Sequence, residues 1–242
     1  MDAAQSMSTL YITGAGVSAE SGIPTFRGSD GYWTVGSVNY TPQQMATRRM
    51  YLENPREFLK WYYHRFVTYR NHGPNDVHYW LADKRLITQN IDGLDGKAGN
   101  KNYIAIHGRL DQMTLFHEQG PLVDKIIAPW SDVDSSNLEQ SLMHIFRINN
   151  EPQIDYSYKP FVLLFDEFYT ELYQISEAQQ RMEEAEKIIF MGTSFSVNIT
   201  QMALDIAISR EIPIEVVDPS PVKLSYHNVI YHPITALEYI NR

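Results

Sequence analysis

Short apolar runs alternate with longer amphipathic stretches along this chain. Runs with the length and β-prone composition of buried strands are Thr9–Thr13, Arg85–Thr88, residues 103–106 and 159–165, Lys187–Met191 and Ile214–Val217. Continuous apolar strands separated by helical patterns are typical of a parallel sheet that is covered on both faces. We therefore predict an α/β fold, with a Rossmann-like parallel sheet flanked by helices and a small inserted domain.

Helical periodicity, with apolar side chains at steps of three and four, lies between these runs. It predicts helices over residues 41–70, 77–83, 167–185 and 200–210, the first of them interrupted near Asn54-Pro55. Within the aromatic stripe of residues 58–69 stands one arginine, Arg65. We expect this arginine to have an anionic or hydrogen-bonding partner, because burying an unpaired charge is costly.

A glycine-rich turn, Gly14-Ala15-Gly16, follows the first predicted strand, and Ala19 completes the spacing G-x-G-x-x-[G/A]. Such glycines let backbone N–H groups approach a pyrophosphate at a helix N-terminus. The alternative is that they only let two backbones pack closely. Residues 21–28 then break the helix early and offer no strand, which predicts a lid over the reactive end of a cofactor.

Polar side chains also follow the other predicted strands. Those after the second and the last strand are Gln89, Asn90, Asp92 and Asp218, and the turn at residues 192–194 follows the strand before the last. The carboxyl ends of parallel strands are where α/β sheets place ligands, and an acid there suits a ribose hydroxyl. His107 follows residues 103–106; a lone histidine is more often structural, but several strand ends of this kind favour a catalytic role.

Composition narrows the classes of partner. The chain has 242 residues, 43% of them hydrophobic, a net charge of -9 and no cysteine. No basic cluster indicates nucleic-acid binding, whereas the negative charge would attract cationic peptides. The absence of a long apolar run and of a basic N-terminal start predicts a soluble, cytoplasmic protein without membrane contact. We expect a monomer.

Two motifs together resemble those of the sirtuins, the NAD-dependent protein lysine deacylases. The stretch GAGVSAESGIPTFRG at residues 14–28 resembles their cofactor loop, and TQNIDGLDGKAGNKNYIAIHG at residues 88–108 resembles their second hallmark, with Asp95 where the family usually has His. The sirtuin GTS stands at residues 192–194, although the family usually has Asn in place of Asp218 and Pro near residues 198–199. The likeness covers the chain except residues 110–159.

The resemblance implies that NAD is the cofactor and that nicotinamide, O-acyl-ADP-ribose and free lysine are the products. In the family, the residue matching Asn90 orders the ribose and a water, the one matching Asp92 holds the nicotinamide carboxamide, and the one matching His107 is the general base. The implied cofactor site comprises Gly14, Ala15, Gly16, Ser18, Thr25, Phe26, Arg27, Gln89, Asn90, Asp92, Gly192, Thr193, Ser194 and Asp218. The rival activity is NAD glycohydrolysis or mono-ADP-ribosyl transfer on the same fold.

The acyl side of the site has its own resemblance. Residues 45–65, MATRRMYLENPREFLKWYYHR, are similar to sirtuins that remove succinyl, malonyl and glutaryl groups, and the matching residues are Ala46, Tyr62 and Arg65. The alternative is that Tyr62 is packing and Arg65 pairs with a carboxylate. The resemblance further implies an acyl-lysine peptide beside Phe165 and Glu167, where Asp166 replaces a family glycine and would be strained if the backbone there needs a positive φ.

The resemblance fails over residues 110–159, where sirtuins generally carry two cysteine pairs that bind zinc. We expect no zinc, because His117 and His144 with Asp124 or Asp132 lack compact metal-ligand spacing. Apolar residues should hold this module instead: Met113, Leu115, Phe116, Ile126, Ile127, Trp130 and Phe146. The predicted domains are residues 1–30, 75–109 and 160–242 for NAD binding, and residues 31–74 and 110–159 for the small domain.

Overall fold

The computed structural model describes residues 8–24, 40–120 and 122–242. Its strands are β1 (Thr9–Thr13), β2 (Arg85–Thr88), β3 (Ile104–Ala105), β4 (Gly108–Leu115), β5 (Lys125–Ile127), β6 (Tyr158–Val162), β7 (Lys187–Met191), β8 (Ile214–Val217) and β9 (Val229–His232). Its helices are α1 (Pro42–Met45), α2 (Arg48–Glu53), α3 (Pro55–Tyr69), α4 (Asp76–Trp80), α5 (Leu94–Lys97), α6 (Leu138–Ile145), α7 (Ile175–Glu184), α8 (Asn198–Ser209) and α9 (Ala236–Ile240).

The main sheet is parallel, with the strand order β3-β2-β1-β7-β8-β9. The chain adds β2 and β3 on one side of β1 and then crosses to add β7, β8 and β9 on the other. The point where the strand order reverses lies beside β1, and ligands bind in open α/β sheets outside the carboxyl ends of the strands at such a point. This sheet confirms the predicted Rossmann-like fold class.

Both faces of the sheet are buried, which is why its strands read as unbroken apolar runs. In β1, Leu10 and Ile12 belong to the core under α7 and α8, whereas Tyr11 belongs to the core under α4 and α9. Alternate side chains of a strand point to opposite faces, so a strand in the middle layer has apolar residues at most positions. Glu215 in β8 is an exception, and it pairs with Lys187 and His232. Helices on both sides therefore hold the strand ends in place.

A second, antiparallel sheet has the order β5-β4-β6. One apolar core joins it to α1, α2, α3 and α6, and this core contains Tyr51, Phe58, Trp130 and Phe146. Two separate stretches of chain, residues 45–62 and 110–148, thus pack together. We propose that the chain divides into a sheet domain and a small domain, and this shared core supports the division.

The helical region at residues 41–70 is divided once more than predicted. The break at Asn54 is present, but Ala46 leaves the helical conformation (φ -86°, ψ 58°) and Thr47 caps a new helix by accepting a hydrogen bond from Met50 N–H. Threonine and asparagine side chains satisfy the first free N–H groups of a helix, so a cap can restart a helix within one periodic stretch. The prediction of two helices here was wrong.

Two predicted elements near the carboxyl half of the chain are shorter than expected. β6 ends at Val162, after which Leu163 N–H donates to His107 O (2.9 Å) and Phe165 N–H donates to Ala46 O (2.9 Å). The helix expected from residue 167 begins only at Ile175, because Gln174 has the left-handed φ of 58°. Residues 163–174 therefore form an irregular connection, with one 3-10 turn at Glu171–Tyr173, that passes the strand ends.

The module over residues 110–159 also differs from its prediction in one strand. Met113, Phe116, Trp130 and Phe146 are buried as expected. The expected burial of Ile126 and Ile127 was wrong, since these side chains are 40% and 81% exposed. They lie on β5, an edge strand that pairs only with β4 in the order given above, and an edge strand has a neighbour on one side only.

Candidate active site

A large cavity opens at the carboxyl ends of β1, β2, β7 and β8. Its volume is about 1110 Å³, which exceeds the 300–1,000 Å³ or so of ordinary small-molecule pockets. The described cofactor residues that line it are Gly14, Ala15, Gly16, Ser18, Gln89, Asn90, Asp92, His107, Gly192, Thr193, Ser194 and Asp218. The three others named from the resemblance, Thr25, Phe26 and Arg27, and with them most of the predicted lid, lie outside the described residues.

The two glycine turns touch each other at the mouth of this cavity. Gly16 N–H donates to Gly192 O (2.9 Å), and a Cβ on Gly16 would lie 2.5 Å from the Gly192 Cα. A Cβ on Gly14 would lie 2.7 Å from Gly192 O. No side chain fits in these gaps, so close packing requires these glycines, while the same turns also expose their backbone to the cavity.

The turn after β1 leads into a 3-10 helix, Ala15–Ser21, rather than a regular α-helix. It ends as early as the sequence predicted, and Gly22 caps it with a left-handed φ of 80°. A left-handed cap residue is the usual way to end a helix with glycine. The short helix brings Ser18 toward the end of β2.

A hydrogen-bonded group connects that helix to β2. The Asn90 amide donates to Gly14 O (3.0 Å) and to Ser18 Oγ (3.2 Å), and Ser18 Oγ donates to Asp92 Oδ2 (2.7 Å). The other oxygen of Asp92 accepts Leu94 N–H (2.9 Å). Each polar side chain is thus held by at least one other element, which orients the amide and the carboxylate toward the cavity they line.

Behind this group stands His78, which is fully buried and which the sequence reasoning missed. Its Nδ1 accepts Asn75 N–H (3.2 Å), and its Nε2 lies 3.4 Å from Ser18 Oγ. Burial lowers the pKa of His78, and the charge of Asp92 opposes that shift only in part. A neutral imidazole with Nδ1 as acceptor carries its proton on Nε2, so it can donate to Ser18.

Asp95, the residue that departs from the sirtuin pattern, lies beneath the same group. Burial, and after it the charge of Asp92, raises the pKa of Asp95 to about 7, while a hydrogen bond from Thr88 opposes the shift. The Thr88 hydroxyl in turn accepts from Thr13 Oγ1 (3.0 Å). A carboxyl group with this pKa is partly protonated at neutral pH, which limits the negative charge buried next to Asp92.

His107 lies between β3 and β4. Its Nδ1 is 3.0 Å from Gln89 O, and a carbonyl only accepts, so Nδ1 carries the proton. Its Nε2 is 2.9 Å from the hydroxyl of Tyr169. Burial lowers the pKa of His107 to about 4, and the Gln89 carbonyl acts in the opposite direction. The imidazole is therefore neutral at pH 7, with its lone pair on Nε2.

The candidate acyl-binding residues divide into two sets. Ala46, Tyr62, Phe165 and Glu167 line the cavity. Arg65 is not among the described lining residues: its side chain is 0% exposed, its guanidinium carbon lies 3.2 Å from the centroid of the Trp61 ring, and its Nη1 donates to Trp61 O (2.9 Å). A backbone carbonyl and an aromatic face surround this charge.

Asp166 ties the connection after β6 to the start of α2. Its two carboxylate oxygens accept Arg48 N–H (2.6 Å) and Arg49 N–H (3.1 Å). Asp166 is not among the described non-glycine residues with positive φ, so the strain considered from the sequence is absent. A carboxylate at a helix N-terminus satisfies two free N–H groups and interacts favourably with the helix dipole.

Glu167 makes further contacts where the connection after β6 meets α2. It accepts Leu164 N–H (3.1 Å) and pairs with the buried Lys159 (3.2 Å) and with Arg48 (3.3 Å). Burial lowers the pKa of Lys159, and Glu167 opposes that shift. Breaking such a pair leaves a buried charge without compensation, so Glu167 contributes to the shape of the cavity wall.

Two observations concern metal ions and membranes. Within the described ranges, no group of three or more His, Asp or Glu side chains is placed to hold a metal ion. Over the same part of the chain, no helix combines the length and the apolar character that a bilayer span requires.

Comparison with known proteins gives a consistent result. A family model described as the Sir2 family matches residues 14–199. The chain is 31% identical to the NAD-dependent protein deacylase 1 of Caldanaerobacter subterraneus subsp. tengcongensis, over 97% of this chain and 92% of that protein. It is similar to a solved Sir2 homologue in complex with NAD (28% identity, 98% and 88% of the two chains, TM-score 0.73). It is also similar to a mutant Sir2 homologue in complex with 2′-O-acetyl ADP ribose (30% identity, 96% and 88%, TM-score 0.72).

Proposed function

This chain belongs to the Sir2 family, the sirtuins, and from that premise we propose that it is an NAD-dependent protein deacylase. The observation that carries the proposal is a neutral His107 that lies in one cavity with Asn90, Asp92 and both glycine turns. The names of the relatives support the same activity. The substrates are NAD and an acyl-lysine side chain of a protein or peptide, and the acyl group is transferred away from the lysine.

The cavity fits NAD on three counts. Its volume is large enough for a dinucleotide. Two glycine turns line it, and the backbone at their glycines can approach a pyrophosphate closely. The Asp218 carboxylate at the end of β8 suits a ribose hydroxyl. When bound, NAD supplies the ADP-ribosyl group that separates from nicotinamide and accepts the acyl group.

The side chains around this site have separate roles in our proposal. Asp92, held by Ser18 and Leu94 N–H, accepts a hydrogen bond from the carboxamide of nicotinamide. Asn90, held through its amide, orients the ribose. His107 takes a proton from a ribose hydroxyl on Nε2, and the Gln89 carbonyl stabilises the imidazolium because it holds the Nδ1 proton.

The peptide is expected to lie along residues 163–167. Phe165 is 51% exposed although it lines the cavity, so its ring is available to a bound chain. The adjacent wall consists of Ala46 and Tyr62, between which an acyl-lysine side chain can reach toward His107. Residues 163 and 164 lie between the end of β6 and a turn at residues 165–167, and we propose that a peptide strand adds beside them.

We further propose that the enzyme prefers acyl groups that end in a carboxylate. Ala46 and Tyr62 support this preference because they line the cavity, where a small side chain leaves room and a phenol offers a hydrogen bond. Arg65 is one helical turn from Tyr62 and would have to turn from the Trp61 ring to meet the carboxylate. An arginine that does so makes charge-assisted, bidentate hydrogen bonds.

One experiment tests the activity and separates it from its rivals. The protein is incubated with NAD and matched acetyl-, succinyl-, malonyl- or glutaryl-lysine peptides, and nicotinamide, O-acyl-ADP-ribose and free lysine are measured by mass spectrometry. Equal amounts of nicotinamide and O-acyl-ADP-ribose that depend on the peptide support deacylation. Nicotinamide release at the same rate without peptide indicates NAD glycohydrolysis, and an ADP-ribosylated peptide or protein indicates transferase activity; either result contradicts the proposal.

A further inference from the structure

The general base of this site has a neighbour that the proposed chemistry does not use. The hydroxyl of Tyr169 lies 2.9 Å from His107 Nε2, and the two rings are inclined by 26° with their centroids 5.9 Å apart. Tyr169 is in the irregular connection between β6 and α7, 62 residues from His107 in sequence. Since Nδ1 carries the imidazole proton, Nε2 is the acceptor and the phenol is the donor.

The phenol is the donor in this bond. Burial raises the pKa of Tyr169 to about 12, so its hydroxyl keeps its proton at neutral pH. The neighbouring imidazole carries its proton on Nδ1, so Nε2 has a lone pair to accept with and no proton to donate.

We propose that Tyr169 is a positioning residue for the general base: its hydroxyl occupies Nε2 of His107 until a substrate hydroxyl replaces it there. This inference rests on the proposed function, because it assigns His107 the role of base. Nε2 has one lone pair, so the phenol and the ribose hydroxyl cannot both donate to it. The exchange keeps Nε2 hydrogen-bonded throughout, and a buried acceptor without a partner would be costly.

Other groups around the imidazole do not provide this contact. The hydrogen bonds found for the ring within the described residues go to Gln89 O and to Tyr169. Among the described residues that line the same cavity, the side chains with a formal charge are all acidic: Glu20, Asp92, Glu167 and Asp218. A carboxylate would favour the charged imidazolium, whereas a donor at Nε2 favours the neutral ring. A carboxylate therefore raises the pKa of His107 and a donor at Nε2 lowers it, so a titration of His107 distinguishes the two.

The test is Tyr169→Phe, which removes the hydroxyl and keeps the ring. In the free protein, the pKa of His107, followed by NMR and assigned by loss of its signal in His107→Ala, should rise by about half a unit to one unit, the effect of one neutral hydrogen bond. The apparent pKa of the acid limb of the kcat/KM profile should rise by the same amount, because kcat/KM reports the free enzyme. The apparent pKa of the acid limb of the kcat profile should stay unchanged, because kcat reports the complex in which the substrate has displaced the phenol.

The chain offers a matched control in Tyr173→Phe. The Tyr173 hydroxyl is buried and has no hydrogen-bond partner within the described residues, so its removal should leave both pH profiles unchanged.

The outcomes are distinct. If Tyr169→Phe leaves the His107 titration unchanged, the phenol is only packing; if it lowers the pKa, the phenol accepts from the imidazolium, and both results overturn the inference. Equal shifts in the limbs of kcat and kcat/KM would contradict displacement by the substrate. The NMR titration needs no activity, so a wild type without deacylase activity refutes the proposed function alone.

Discussion

At the scale of single residues, the surroundings of His107 decide its chemistry. A carbonyl holds one ring nitrogen and a phenol occupies the other, and burial lowers the pKa of His107 to about 4. The resemblance to sirtuins identified the histidine, but only these contacts show its tautomer. The ring is neutral throughout the physiological pH range, as a general base must be.

We expect His107→Ala to lose at least about 100-fold of NAD-dependent deacylation, the usual contribution of a positioned general base. NAD binding should persist, because the glycine turns, Asn90 and Asp92 remain; calorimetry with NAD measures this. The control is His144→Ala, which changes an exposed histidine in the last turn of α6. Turnover that survives in His107→Ala would remove this residue from the mechanism.

The acyl preference that we propose depends on one side chain, Arg65. We expect kcat/KM to be higher for a succinyl-lysine peptide than for the matched acetyl-lysine peptide. Arg65→Met should lower the succinyl value by about tenfold or more, since a charge-assisted contact contributes roughly 1.5–3 kcal/mol, and should change the acetyl value little. A wild type that prefers acetyl, or an equal loss with both peptides, would refute the role of Arg65.

Because Arg65 is buried against Trp61, the melting temperature of the variant must be measured alongside. A folded variant with an altered ratio of the two kcat/KM values separates specificity from stability. A lower melting temperature with an unchanged ratio would mean that Arg65 is structural.

At the scale of elements, caps and connections shape the cavity wall. Thr47 begins α2 in the middle of a periodic stretch, and Asp166 caps the same helix from a distant part of the chain. These contacts place Ala46 and Phe165 side by side, joined by a backbone hydrogen bond of 2.9 Å. The peptide and acyl sides of the site thus depend on the start of one short helix.

We expect Asp166→Ala to reduce the free energy of unfolding by about 1 kcal/mol, the typical loss for a helix N-cap residue. Asp166→Asn should lose less, because it keeps one oxygen acceptor. Urea unfolding measures both, with Asp124→Ala, an exposed loop carboxylate, as control. The assignment is wrong if Asp166→Ala and the control have the same midpoint.

At the scale of the whole molecule, a core rather than cysteine ligation holds the region where sirtuins generally bind zinc. The sequence has no cysteine, and Trp130 packs against Phe66 and Phe146 with ring centroids 5.9 and 5.0 Å apart. Trp130 Nε1 also donates to Leu110 O (2.7 Å), so the buried indole is satisfied. Aromatic packing of this kind stabilises a small module without metal.

We expect metal analysis of the purified protein to find no stoichiometric zinc, and EDTA to leave the melting temperature unchanged. A structural zinc contributes directly to folding, so its removal would lower that temperature. Trp130→Ala should lower it instead, because a large buried side chain leaves a cavity. A drop with EDTA that zinc reverses would show that the histidines of this module bind metal.

Much of this molecule is determined locally. β1, β2, β7 and β8 have the bounds expected from their apolar runs, because strands buried on both faces are apolar at most positions. The glycine turns and the polar strand ends follow from the same strands, since parallel strands bring their carboxyl ends to one edge. The sequence alone therefore determined the central strands of the sheet and the place of the cavity, whereas β9 was not predicted.

Tertiary structure decided the features that depend on contacts between distant segments. The bond from Tyr169 to His107 and the cap that Asp166 gives α2 join residues 62 and 118 positions apart, and neither has a local signal. The exposure of Ile127 and the contact of Arg65 with Trp61 likewise depend on which neighbours each element acquires. The sequence shows which side chains are apolar and how they are spaced. Whether a side chain is buried, which tautomer a histidine adopts and which partner a group contacts depend on packing in three dimensions.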